Sequence, residues 1–338
     1  MKRIGILCLL VACAQLMAAE GSYTVDAHIG LSGEGGWDDL IVDGKAQRLY
    51  VARATRVAVI DLATAQGLAE IPDTPGVHAI ALAADLNRGY ITCGQSNVVK
   101  VFALDSRAIV ANVQSGDGPD AIVYEPITQR VFAFNGRGHS ATVIDAHTNL
   151  VVATISLAGK PEFSRADERG NVFVNIEDTS ELVRIDAHTA ALTARWPLNH
   201  CQEPTGLAID AVHRRGFSTC GNETLAITDL DTGAAVASLP IGRGVDGAAF
   251  DPDSQTIFSS NGEGTLSIVR ELTPDRYVTS QTLVTQRGAR TMALDPTTHR
   301  LYLPTAQLTP PLPASAENPH PRPVPVPGTF IVLMVQRH

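Results

Sequence analysis

The stretch PDAIVYEPITQRVFAFN (Pro119 to Asn135) has two near copies further along the chain, VDGAAFDPDSQTIFSSN from Val245 and ARTMALDPTTHRLYLPT from Ala289. Each reads as a short apolar run, a turn written with Asp or Glu followed by Pro, and a second run rich in large apolar residues. Copies at a fixed spacing mean that one supersecondary unit is being stacked, because a unit of that size cannot bury its apolar faces alone. The polar residue five places before the acidic residue of that turn serves as an anchor. The anchors are Asp38, His78, Asp120, Glu162, Thr205, Asp246 and Arg290, separated by 40, 42, 42, 43, 41 and 44 residues.

Within a unit the two runs are followed by a Gly/Asn/Ser turn, then by VAVIDL, ATVIDA or LAITDL, an Asp-x-x-Thr turn as in DAHT and DLDT, and a last run such as LVVATI. Short stretches with alternating or fully apolar patterning between turn residues are strands, so each unit is one four-stranded antiparallel sheet and no helix is expected. Seven such sheets of forty-odd residues predict an all-β fold, a seven-bladed β-propeller. The seventh unit has TMALD, RLYLP and TFIVLMV but no fourth strand, whereas YTVDAHI (Tyr23 to Ile29) stands before the first unit begins at Trp37. The N-terminal strand is therefore expected to pair with FIVLMV (Phe330 to Val335) and close the ring, which leaves few open sheet edges.

The repeats resemble the YVTN-repeat β-propellers (YncE-like proteins) through RLYVA at Arg48, RVFAFN at Arg130, RLYLP at Arg300 and the VAVIDL and ATVIDA strands. The resemblance covers nearly the whole mature chain and implies a seven-bladed, WD40-like repeat propeller of the bacterial envelope. It implies little chemistry, because those repeats specify blades. The fourth unit is one residue short before its second strand and the seventh carries a long insert.

The first nineteen residues, MKRIGILCLLVACAQLMAA, pair two basic residues with an apolar run that ends in small residues, the pattern of a secretory signal peptide rather than a membrane span. Residues 20–338 then form a single propeller domain, periplasmic or secreted, with no transmembrane span in the mature form. LVAC (Leu10 to Cys13) offers the alternative of a lipoprotein anchored at Cys13. The formal net charge is −9, and cleavage after Ala19 would make it more negative, which disfavours a nucleic-acid partner.

In a four-stranded blade the inter-blade connection and the turn after the second strand lie on one face, so the anchors should ring one mouth of the central channel. Asp38 has His78 and Arg290 as ring neighbours and Asp246 adjoins Arg290, so these carboxylates are expected to be partnered and Asp120 and Glu162 are not. With Asn135, Asn175 and Asn261 at second-strand ends and Trp37 beside the acidic pair, these residues are the candidate ligand-binding site. Two readings stand at this point. One is a hydrated funnel whose polar residues cap strand starts. The other is an oxygen-rich site in which Asp120 and Glu162, near Asn135 and Asn175, hold a divalent cation such as calcium.

Cys-x-x-Cys-His, His-Glu-x-x-His and Gly-x-Ser-x-Gly are absent. Cys201 and Cys220 are expected to form a disulfide in an oxidising envelope, and Cys93 to be a free thiol. The insert QLTPPLPASAENPHPRPVPVPG (307–328) is dense in proline, favours an extended path and falls on the mouth face, as a lid, a docking strip or a passive linker. The leading functional expectation is an exported binding or protein-interaction module that requires no cofactor and uses the mouth and the proline-rich loop. Its partner would be a small ligand, a glycan or an envelope protein. The alternative is a metal-dependent lactonase or esterase-type hydrolase at the mouth, since gluconolactonase-type propellers hold a metal there, although their local motifs are not recognisable here.

Overall fold

A computed structural model describes residues 21–311 and 323–338. Those residues form seven four-stranded antiparallel sheets. In the first six blades, which span residues 40–71, 77–114, 119–156, 161–197, 204–240 and 245–284, the strands follow in chain order from the channel outward. The seventh is composite. Its order from the channel outward is Ala293–Asp295, Arg300–Thr305, Ile331–Arg337 and then Tyr23–Gly30, so the N-terminal strand is its outer edge. Tyr23 lies opposite Arg337 and Gly30 opposite Ile331 in that pairing, with one bulge between Val25 and Ala27. The one helical element among the described residues is a single turn, Ala84–Leu86.

Burial explains the two kinds of apolar patterning. Second strands such as Arg130–Asn135 and Asn171–Ile176 are buried from their second residue to their last, because a sheet of the neighbouring blade covers each face. Fourth strands such as Val151–Ser156 have only an occasional buried residue, since their outward face meets solvent. The core is accordingly laid down in seven layers between blades. Phe132, Phe134 and Val143 of the third blade pack on Val172, Val174 and Ile185 of the fourth, and an equivalent cluster fills each other seam, including that between the seventh blade and the first.

The Asp-x-x-Thr turns join third strands to fourth. In DAHT the Asp145 carboxylate accepts from the backbone N–H of His147 and Thr148 and from the Thr148 hydroxyl at 2.8–3.1 Å, and Asp229 does the same for Asp231 and Thr232. These bonds hold both carboxyls below the ordinary range. The residue that follows, Asn149 or Gly233, takes a left-handed conformation and turns the chain into the fourth strand.

Candidate functional site

First strands start on one face of the ring, and their first polar side chains project into the channel there. All seven anchors, Asp38, His78, Asp120, Glu162, Thr205, Asp246 and Arg290, line a single cavity of about 590 Å³. Five of them form a continuous electrostatic chain. Arg290 Nε is 2.6 Å from Asp246 Oδ2 and its Nη2 is 3.6 Å from Asp38 Oδ1, while His78 Nδ1 is 2.7 Å from Asp38 Oδ2 and 3.4 Å from Asp120 Oδ1. Hydrogen bonding to Asp38, reinforced by the charge of Asp120, raises the pKa of His78.

The expectation that Asp120 and Glu162 lack cationic partners is corrected here. Asp120 meets His78, and Glu162 is 2.7 Å from Lys160 Nζ, which also contacts Glu177. Lys160 stands just before the fourth blade's first strand and Glu177 just after its second, so the hairpin brings both beside Glu162 at the mouth. Burial nevertheless pushes Glu162 up to about 8, with repulsion from Asp120 adding to it, because Lys160 is shared with Glu177. Burial also raises Asp120, which His78 only partly offsets.

The three asparagines are not at the mouth, which corrects their placement in the candidate site. Asn135 and Asn261 end their second strands and Asn175 stands one residue before the end of its own, but each side chain turns into the covered sheet. Asn175 donates to the carbonyls of Thr205 and Gly206 at 3.1 and 3.0 Å and accepts from Ser218, cross-linking the fourth and fifth blades. Asn135 donates to Ser140 and Thr142, and Asn261 to Thr265 and Ser267. All three are fully buried, so none supplies an oxygen to a cation between Asp120 and Glu162. The ligand atoms that do converge on Asp120, within 4.8 Å of one another, come from Asp38 and His78.

Two further groups were not singled out in the sequence. Asp39 and Arg165 line both the mouth cavity and a second cavity of about 420 Å³ toward the other face, so they stand where the two meet along the shaft. Burial lifts Asp39 to about 7 against the pull of Arg165, and burial lowers Arg165. Burial also raises Asp246, to about 6, despite Arg290. The DD pair at Asp38 was a visible signal for Asp39. Arg165, three residues past the anchor Glu162 inside the strand Pro161–Ala166, gave none.

Trp37 lines the cavity and packs on Phe330, ring centres 5.6 Å apart. Behind it, Arg53 is 1% exposed, stacks 3.6 Å over the same Phe330 ring and donates to the carbonyls of Gly33, Glu34, Gly35 and Gly36 at 3.2–3.5 Å. That buried guanidinium holds the GEGG loop at the rim. The proline-rich insert starts and ends on the same rim. Thr309 N–H donates to Val324 O and Val326 N–H to Gln307 O, and Leu308, Pro323 and Pro325 line the cavity. Residues 312–322 of the insert lie outside the described residues.

Near the same face, Cys201 and Cys220 are joined in a buried disulfide with a Cα separation of 5.4 Å, and Cys93 is a buried thiol pushed up to about 11 by burial. The expected signal peptide (residues 1–19) and the alternative anchor at Cys13 also lie outside the described residues, and no helix of the described residues is long and apolar enough to cross a membrane.

Comparison with solved structures decides the architecture. The WD40 repeats of RRP9 superpose with a TM-score of 0.77 at 10% identity, covering 94% of this chain and 99% of that one. The fold is a WD40-like seven-bladed β-propeller. This propeller also matches the structure of U3-55K (TM-score 0.75, 10% identity, 91% and 97% covered). A chain of the Kuenenia stuttgartiensis hydrazine synthase matches too, with a TM-score of 0.68 at 14% identity and 81% and 94% covered. At such identities the likeness is one of fold alone. No protein-family model matches the propeller, and no curated protein does so in sequence.

Proposed function

We propose that this propeller is a binding module whose mouth takes a cationic group, an ammonium or guanidinium carried by a small ligand or by a partner protein. The observation that carries this is the charge balance of one concave site. Six carboxylates (Asp38, Asp39, Asp120, Glu162, Glu177 and Asp246) face three permanent cations (Lys160, Arg165 and Arg290) and one imidazole. Burial holds Asp39, Asp120, Glu162 and Asp246 above the ordinary carboxylate range, so the protein's own cations do not satisfy them. A bound cation would lower the energy of their charged forms. A propeller fold is consistent with a protein-interaction role, and the described ends of the proline-rich insert supply an apolar rim beside the acidic floor. The hydrolase alternative is not favoured, because the asparagines it needs are buried in the sheets.

Export to the bacterial envelope, implied by the YVTN-like repeats and the N-terminal leader, is part of the same proposal. The Cys201–Cys220 disulfide supports an oxidising compartment.

Isothermal titration with a trilysine peptide and a triglutamate peptide tests the reading. Saturable binding of the basic peptide alone is expected, weakening with salt and lost in the Asp120→Asn, Glu162→Gln double variant. Equal or absent binding of the two peptides would overturn it.

A further inference from the structure

On the face of the ring opposite the mouth, several first strands end in or just before an acidic residue, and at two seams the next blade answers with an arginine or a histidine. Asp167 of the fourth blade meets Arg214 of the fifth at 2.7 Å, and Asp251 of the sixth meets His299 of the seventh at 3.1 Å. The seam between the fifth and sixth blades breaks this arrangement. There the residue that faces Asp210 from the next blade is another acid, Glu271, in the strand Thr265–Thr273. Both acids are buried, with side chains 2% and 1% exposed. Two like charges at close range in a buried place are costly unless a cation joins them.

His213, in the hairpin after Asp210, is placed between them. Its Nδ1 is 2.6 Å from Asp210 Oδ2 and 3.2 Å from Glu271 Oε1. One ring nitrogen carries at most one hydrogen, and the shorter contact is to Asp210. Neither Oε1 nor Oε2 of Glu271 accepts a hydrogen bond. Arg215, the nearby permanent cation, is committed elsewhere, to Asp229, Asp275 and the carbonyls of His213 and Pro274. A buried carboxylate with no donor thus points into a group of one imidazole nitrogen and two carboxylates whose atoms lie within 4.8 Å of one another.

We propose that Asp210, His213 and Glu271 bind a single divalent transition-metal ion of the zinc class. One nitrogen and two carboxylate ligands, with water as the fourth, suit tetrahedral zinc, whose ligands sit about 2.0–2.2 Å from the ion and so roughly 3.3 Å from each other. The separations of 2.6 and 3.2 Å to Nδ1 need only small adjustments to reach that spacing. Nδ1 would give up its hydrogen and coordinate through its lone pair. The backbone N–H groups of Val212 and His213, donating to Asp210 Oδ1 at 2.9 and 3.1 Å, hold that carboxylate in orientation, the outer support that metal ligands commonly have. The imidazole is 34% exposed, which gives the ion and the water a route in. Calcium, which takes about six to eight oxygens, does not suit the set.

The test uses the untagged full chain after chelator treatment, titrated with zinc chloride by calorimetry, with thermal melts of the same samples. One equivalent is expected to bind, to raise the melting temperature and to remain in His78→Ala, which alters only the imidazole of the mouth. His213→Ala, at a partly exposed hairpin position, should abolish both the binding and the shift. Glu271→Gln should abolish the binding while leaving the metal-free protein at least as stable, and if that variant fails to fold, His213→Ala carries the test alone. Absence of one-to-one binding, survival of binding in His213→Ala, or its loss in His78→Ala would overturn the proposal.

Discussion

Glu162 shows how a single side chain in the mouth couples to the stability of the ring. Its folded-state pKa of about 8 stands above the ordinary 4.5, so folding takes up a proton between those values. A carboxyl raised on folding favours the folded state most at low pH, and that contribution is lost as the pH rises through the folded pKa. Asp39 at about 7 and Asp246 at about 6 act in the same sense. Carboxyls held low by turns, such as Asp145 and Asp186, change charge below the ordinary 3.8 and stay out of this window. The melting temperature of the wild type should therefore fall between pH 5 and pH 8.5, and Glu162→Gln should reduce that slope. The variant should match the wild type near pH 5 and exceed it at pH 8.5 by on the order of 2 °C for each kcal/mol relieved. Parallel pH profiles for the two proteins would show that Glu162 is not raised.

At the level of elements, the Cys201–Cys220 bond ties the connection entering the fifth blade to the end of that blade's second strand, across 19 residues. Closing a loop of that size removes freedom from the unfolded chain worth about 3 kcal/mol in the chain-entropy model. Urea unfolding of a Cys201→Ser, Cys220→Ser variant should show a stability loss of about that size, and a loss below about 1 kcal/mol would contradict the account. The pairing was legible in sequence because both cysteines fall on the mouth-side ends of adjacent strands in one unit. The asparagines show where that reasoning stops. Strand position gives the end of the sheet on which a residue lies, but at the last residue of a strand covered on both faces the side chain has no free face to turn to. Asn135 and Asn261, at strand ends, and Asn175, one residue before one, therefore serve as internal cross-links.

The whole molecule depends on closure, since its core is a set of layers between blades and each blade needs two neighbours. The N-terminal strand Tyr23–Gly30 covers the Ile331–Arg337 strand, and its Tyr23 and Ile29 enter the layers against the sixth and first blades. Deleting residues 22–31 should expose a long apolar strand edge and open two seams together. Thermal melts and size-exclusion chromatography of that variant should show a large loss of cooperativity with self-association. A monomer with an unchanged melting temperature would refute the role given to the joint.

The sequence by itself determined the blade number, the composite last blade and the seven anchors that ring the mouth. Those properties follow from the repeat period, the alternation of side chains and the turn chemistry, all set within forty-odd residues. Only the tertiary structure decided which charges meet: Lys160 and Glu177 with Glu162, Asp39 with Arg165 inside the shaft, and Asp210 with Glu271 across a seam. Bulges near the start of five first strands and the covered strand ends redirect side chains in ways that alternation does not encode. Contacts between blades join residues far apart in the chain, and their geometry exists only once the ring has closed.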